Sequence, residues 1–153
     1  MSPVLISHRG NIDCDFNINE NHPDYIQKAI NLGYDVEIDV RKFNDKLYLG
    51  HDSPDYEISL NWLLERSSKL WVHTKNFDAL SYLIDYDIRS FYHQKENHTI
   101  INKCNLIWSH ELVEANEKSV IPLLSLKELN SFTYKKVYGI CSDFISFFNK
   151  GSI

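Results

Sequence analysis

Seven histidines among 153 residues, beside 21 acidic and 16 basic side chains, are the first sign that this sequence carries chemistry. Five of them, His8, His51, His73, His93 and His110, close short apolar runs. Imidazole has an unperturbed pKa near neutrality, so it serves as proton donor or proton acceptor. Glu37 and Asp39 stand two apart within the run 34–40, and in an extended strand that spacing aims both carboxylates at one face. Brought together in a poorly hydrated site, they repel each other and lose solvation, which is costly without a cation. A divalent metal ion is the simplest compensation. His73 and Lys75 share the same spacing, and Arg9, Asp52 and Asp143 also sit where apolar runs end.

Side chains so placed need a scaffold that gathers strand ends. Runs 3–7, 34–40, 47–50, 70–74, 90–92, 106–109, 120–124 and 137–141 are rich in β-branched, aromatic and aliphatic residues, which gives eight candidate strands. Between several of them lie helical patterns. Tyr25, Ile26, Ala29, Ile30 and Leu32 share a face of a helix that Pro23 opens and Gly33 ends; shorter patterns cover 60–64, 77–84 and 126–129. Strands alternating with helices predict parallel pairing through right-handed crossovers, and eight strands predict a compact TIM-type (β/α)8 barrel. Such barrels typically need about 250 residues, so the outer helical ring is expected to be incomplete, with an open α/β sheet as the alternative. Asp39 and His51 are too close in sequence for a helix between them, and Asn44, Asp45 and Lys46 read as the turn. In a barrel the active site lies at the C-terminal ends of the strands, where the titratable residues collect.

Length and composition predict a single domain over residues 1–153, with no repeat or linker. A net charge of -5 without a basic stripe argues against nucleic acid as a partner. The opening residues lack a secretory pattern, and no apolar run approaches a membrane span, so a soluble cytoplasmic protein is expected. Cys14, Cys104 and Cys141 have no metal-knuckle spacing and read as free thiols. Trp62, Trp71 and Trp108 read as core, and His22 and His98 as solvated.

The order His8-Arg9-Gly10, Glu20-Asn21 ahead of a helix, Gly33, Glu37-Ile38-Asp39-Val40 and His51-Asp52 resembles the amino-terminal signature of the glycerophosphodiester phosphodiesterases, within the phospholipase-C-like phosphodiesterases. Trp71 to Lys75 lies where that family has a strand ending in Glu-x-Lys, and Gly139 to Asp143 is similar to its last strand. The resemblance is specific over residues 5–52 and looser beyond. It implies a phosphoric diester hydrolase of lipid metabolism, with His8 and His51 as general acid and base and Glu37 and Asp39 as metal ligands. Arg9, Lys75, Glu20 and His93 would contact the phosphate or the rest of a small or polymer-linked phosphodiester, such as a glycerol phosphodiester. The family's third metal-binding carboxylate falls on His73. Oxygen ligands suit Mg²⁺ or Ca²⁺, and an added nitrogen tilts the preference toward Mn²⁺ or Zn²⁺. The family's insertion after His-Asp shrinks here to residues 53–59. The alternative from a different class is a degenerate barrel that binds a phosphorylated ligand without turning it over.

Overall fold

The structure, a computed structural model of the chain, describes residues 2–14, 17–133 and 136–150. Its strands are β1 (Val4–His8), β2 (Asp35–Phe43), β3 (Lys46–Leu49), β4 (Tyr56–Ile58), β5 (Leu70–Thr74), β6 (Ser90–Phe91), β7 (His98–Ile101), β8 (Leu106–Ser109), β9 (Ser119–Pro122) and β10 (Gly139–Ser142). Four short helices accompany them, α1 (Pro23–Asn31), α2 (Leu60–Leu64), α3 (Phe77–Leu83) and α4 (Leu126–Ser131), followed by a 3₁₀ segment, Ile145–Lys150. Side by side and parallel run β6, β5, β2, β1, β10, β9 and β8; β7 joins antiparallel to β8. The nine-residue β2 serves three ladders. Its first residues pair with β1, its middle with β5, and Val40 to Phe43 pair antiparallel with β3, which pairs in turn with β4.

This is a curled mixed sheet with short helices, and it overturns the expectation of a TIM-type (β/α)8 barrel. The first cause is local. Asn44 and Asp45 both have left-handed backbones, with φ of 47° and 63°, the geometry of a two-residue hairpin turn whose twist matches its strands. A connection that short reverses the chain and cannot make a parallel crossover. The run at 47–50 is therefore an arm antiparallel to β2, not a barrel stave. The second cause is β7, which the sequence reading passed over and which also reverses against its neighbour. The third is that the chain passes from β6 to β7, and from β8 to β9, with no helix at all. At the two ends of the curl, among the described residues, the main-chain link is the Asn102 N–H donating to the Ser90 carbonyl at 2.9 Å. The Asn102 carboxamide oxygen accepts from the Ser90 N–H at 2.7 Å.

Alternation along the strands sorts the inside of the curl into layers. Ile6, Trp71, Trp108, Val120 and Cys141 are buried together with Phe91, Ile101 and Leu106. Two residues on from four of these, toward the C-terminal ends, stand His8, His73, His110 and Asp143. The apolar layer is thus the floor beneath the polar one. Trp71, fully buried, also donates its indole N–H to Asp35 at 3.0 Å and lies under the Arg89 guanidinium, so its polar edge is satisfied as well as its ring buried. On the outer face, α1, α2 and α3 cover Val36, Ile38, Val40, Leu70 and Val72, while the 3₁₀ segment and α4 pack near Ile121 and Ile140. Among the described residues no helix is long and apolar enough to cross a membrane.

Candidate active site

The turn after β1 starts the site. Arg9 takes a left-handed backbone, with φ of 54°, an uncommon conformation for a side-chain-bearing residue and one that accumulates at functional sites. Gly10 follows at φ of 93°, where an added Cβ would stand 2.6 Å from the Tyr25 ring. The Arg9 N–H donates to the Glu37 carbonyl at 2.9 Å, and the Asn21 N–H donates to the Arg9 carbonyl at 3.0 Å. These bonds lock the His8-Arg9-Gly10 corner against β2. On the β3 side, Gly50 has φ of 145°, and a Cβ there would lie 2.0 Å from the Ser53 carbonyl oxygen. Only glycine fits before His51. Arg41 donates through Nε to the Gly50 carbonyl at 3.1 Å and through Nη2 to the His51 carbonyl, which splints that loop to β2.

His8 is held by its Nδ1, 2.7 Å from Asp143 Oδ1, with Nε2 3.8 Å from Glu37 Oε2. Burial by itself would lower the pKa of this imidazole, but the Asp143 hydrogen bond and the Glu37 charge outweigh it and raise the pKa. The Asn11 carboxamide donates to Asp143 Oδ1 and to Glu20 Oε1, both at 2.7 Å, and Arg9 Nη1 donates to Glu20 Oε2 at 3.2 Å. His51 is different. Its side chain is 40% exposed and its Nδ1 lies 2.8 Å from Asp52. Desolvation, then the nearby Arg9 charge, lowers its pKa. The two imidazoles are shifted in opposite directions.

Between them lie the carboxylates, both buried. Glu37 is pushed up by burial and then by the Asp39 charge. Burial acts against Asp39 too, yet His73, Arg9 and Asn21 hold it below the ordinary carboxylate range. Asn21 donates its carboxamide to Asp39 Oδ2 at 3.0 Å and accepts the Asp39 N–H at 3.0 Å. Arg9 Nε is 2.9 Å from the same oxygen but off the line of a hydrogen bond, so this contact is an ion pair and little more. The other oxygen, Oδ1, lies 3.4 Å from His73 Nδ1 and 3.7 Å from Lys75 Nζ, and His73 Nδ1 is 3.7 Å from Glu37 Oε1. Neither Asp39 Oδ1 nor Glu37 Oε2 has an aligned hydrogen-bond partner, although both are buried. Glu37, Asp39 and His73 each offer one ligand atom, all within 4.8 Å of one another.

A pocket of about 240 Å³ opens over these groups. Of the residues expected from sequence, His8, Arg9, Glu37, His51, His73, Lys75 and His93 line it. Asp39 lies beneath, fully buried. Glu20 lies beside the pocket, anchoring Arg9 and Asn11. His110, noted at a strand end but given no role, lines the pocket and stacks on His93 with ring centroids 4.3 Å apart. Asp143, likewise noted without a role, orients His8. Asn11 and Asn21 were missed as site residues, although Asn21 stands in the quoted Glu20-Asn21 pair. His98 is held between Ser109 and Glu114, outside the pocket lining. Compared with protein-family models, curated proteins and solved structures, the chain matches none.

Proposed function

We propose that this chain is a metal-dependent phosphoric diester hydrolase acting on a diester with one small substituent. The observation that carries the reading is a buried carboxylate pair, each member with an oxygen lacking an aligned donor, beside His73 and at the base of a pocket that also holds four further imidazoles and two cations. An oxygen-rich set with one nitrogen fits a divalent ion, Mg²⁺ or Ca²⁺ by its carboxylates and Mn²⁺ or Zn²⁺ by its imidazole. Bound by Glu37, Asp39 and His73, such an ion would supply Lewis-acid polarisation of a phosphoryl oxygen. Arg9 and Lys75 offset negative charge on the non-bridging oxygens, stabilisation that grows as the transition state forms. His8 and His51 handle the two protons, one leaving the attacking hydroxyl or water and one reaching the departing alkoxide. Asp143 fixes the His8 tautomer by taking its Nδ1–H, which leaves Nε2 for the reaction.

The test is hydrolysis of bis-p-nitrophenyl phosphate by chelator-treated protein given Mg²⁺, Mn²⁺, Ca²⁺ or Zn²⁺ in turn. Activity returns with at least one ion, and His8→Ala lowers it by about 10²- to 10⁴-fold; Glu37→Ala abolishes the ion dependence. Equal activity, or equal inertness, of all three proteins under every ion rejects the reading. One observation favours the second reading, a phosphate-binding module without turnover: Arg9 and Lys75 stand 2.9 and 3.7 Å from the Asp39 carboxylate and offset much of its charge. Binding of inorganic phosphate by an inert protein would select it.

A further inference from the structure

The pocket has two unlike halves. Around Glu37 stand the charged and titratable groups, His8, Arg9, His51, His73 and Lys75. The remainder is formed by His93, Gln94, Trp108, His110, Pro122 and Leu124, and here rings and apolar side chains dominate. His93 and His110 lie face to face, 4.3 Å apart and inclined by 24°. Behind them runs a column of stacked rings, Trp108 on Phe91 at 4.5 Å and Phe91 on His73 at 4.9 Å. This column joins the ring-lined half to a proposed metal ligand. Among the lining residues the only carboxylate is Glu37, which faces His8 and His73; Glu96, outside the lining, stands 3.8 Å from His93 Nδ1, so the ring-lined half offers a cationic head group one peripheral counter-charge and none within the pocket. A polyol would find there few groups for its hydroxyls beyond Gln94 and the imidazole edges. Stacked flat surfaces flanked by Pro122 and Leu124 instead suit a flat, uncharged partner, which gains from offset ring contact as well as burial. The volume sets the size. At about 240 Å³ it falls below the roughly 300 Å³ at which drug-sized ligands begin to be enclosed, leaving room for a phosphate and one small ring.

We propose that the half-pocket formed by His93, His110, Trp108, Pro122 and Leu124 is a head-group subsite that selects phosphodiesters bearing one small, uncharged planar ring, of aryl or nucleobase type, rather than the glycerol implied by the sequence resemblance. The inference rests on the phosphodiester reading and names the substrate class of that site. Any further substituent of the diester extends into solvent.

Three probes whose head group is carbon-linked to phosphorus, and so cannot be released, test it by calorimetric titration of the metal-loaded protein: the monomethyl esters of benzylphosphonic, ethylphosphonic and trimethylammonioethylphosphonic acids. The benzyl probe binds about tenfold tighter than the ethyl probe, and the cationic probe gains nothing over ethyl. His110→Ala removes that preference by weakening benzyl binding more than ethyl binding, whereas His110→Phe, which restores a ring without its nitrogens, retains it. Equal binding of benzyl and ethyl probes, tightest binding of the cationic one, or loss of the preference in His110→Phe overturns the inference and leaves the phosphate site standing. Failure of all three probes to bind overturns the phosphodiester reading and the inference with it.

Discussion

The two histidines expected to move protons live in opposite surroundings. His8 sits at the end of a central strand, buried, its Nδ1 bound by Asp143, which Asn11 in turn holds. His51 sits on a loop beyond the β2–β3 hairpin, half exposed, supported through its backbone by Arg41. In the first region fold and site are one network, so a change there is felt by both. In the second the side chain is an attachment whose loss the fold does not notice.

The sharpest way to break this contrast is a pair of substitutions. Asp39→Ala strands Arg9 and Lys75 without their buried counter-charge and lowers stability by about 3–5 kcal/mol, read as a drop in the urea midpoint. His51→Ala leaves that midpoint within about 0.5 kcal/mol while hydrolysis of the chromogenic diester collapses. Comparable destabilisation by both would erase the distinction. A smaller effect is expected at Asp143, whose removal from the reacting centre is one residue deep. Asp143→Asn takes the charged acceptor from His8 Nδ1 and lowers kcat by about 10- to 100-fold, with little change in KM; an unchanged kcat would leave His8 independent of its partner. The smallest concerns the ring-lined half. Desolvation, then the His93 and His73 rings, lowers the His110 pKa from 6.5 to about 4. Above pH 6.5 the folded and unfolded chains bind the same number of protons at this position. As pH falls from 6.5 to 4 the unfolded chain takes up a proton that the folded one refuses, so stability declines over that window and levels off below it. His110→Gln flattens this part of a denaturation-midpoint profile, by less than about 1 kcal/mol because solvent screens so open a ring. A profile identical to that of the parent would show His110 titrating freely.

What the sequence made legible follows the same division. The run at 70–74 and the helix opened by Pro23 were readable because apolar spacing and capping residues agree there, and β5 and α1 form as the pattern requires. The gathering of titratable groups was readable too, since apolar floor and polar rim alternate two residues apart along the strands. The closed barrel was a misreading of one turn and one missing strand. Asn44-Asp45 gives the antiparallel answer, but the strand that follows looks like any buried parallel one. β7 spells His98-Thr99-Ile100-Ile101, in which Ile101 is buried and Ile100 is 76% exposed, a pattern too short and too polar to stand out. Asn11 and Asn21 escaped notice for another reason. Their importance comes from partners 132 and 18 positions away, and an amide carries no hint of its partner in local sequence.

The two-residue turn at Asn44-Asp45 also limits how this molecule can change in length. Side chains alternate with a period of two, so adding or deleting a single residue there would slide β3 by one place, turn Leu47 and Leu49 from the interior toward water, and swing His51 off the pocket. The connection at 92–97, which answers to no such register, has slack to lengthen. Natural variation in chain length should therefore collect around the ring-lined half and spare the hairpin.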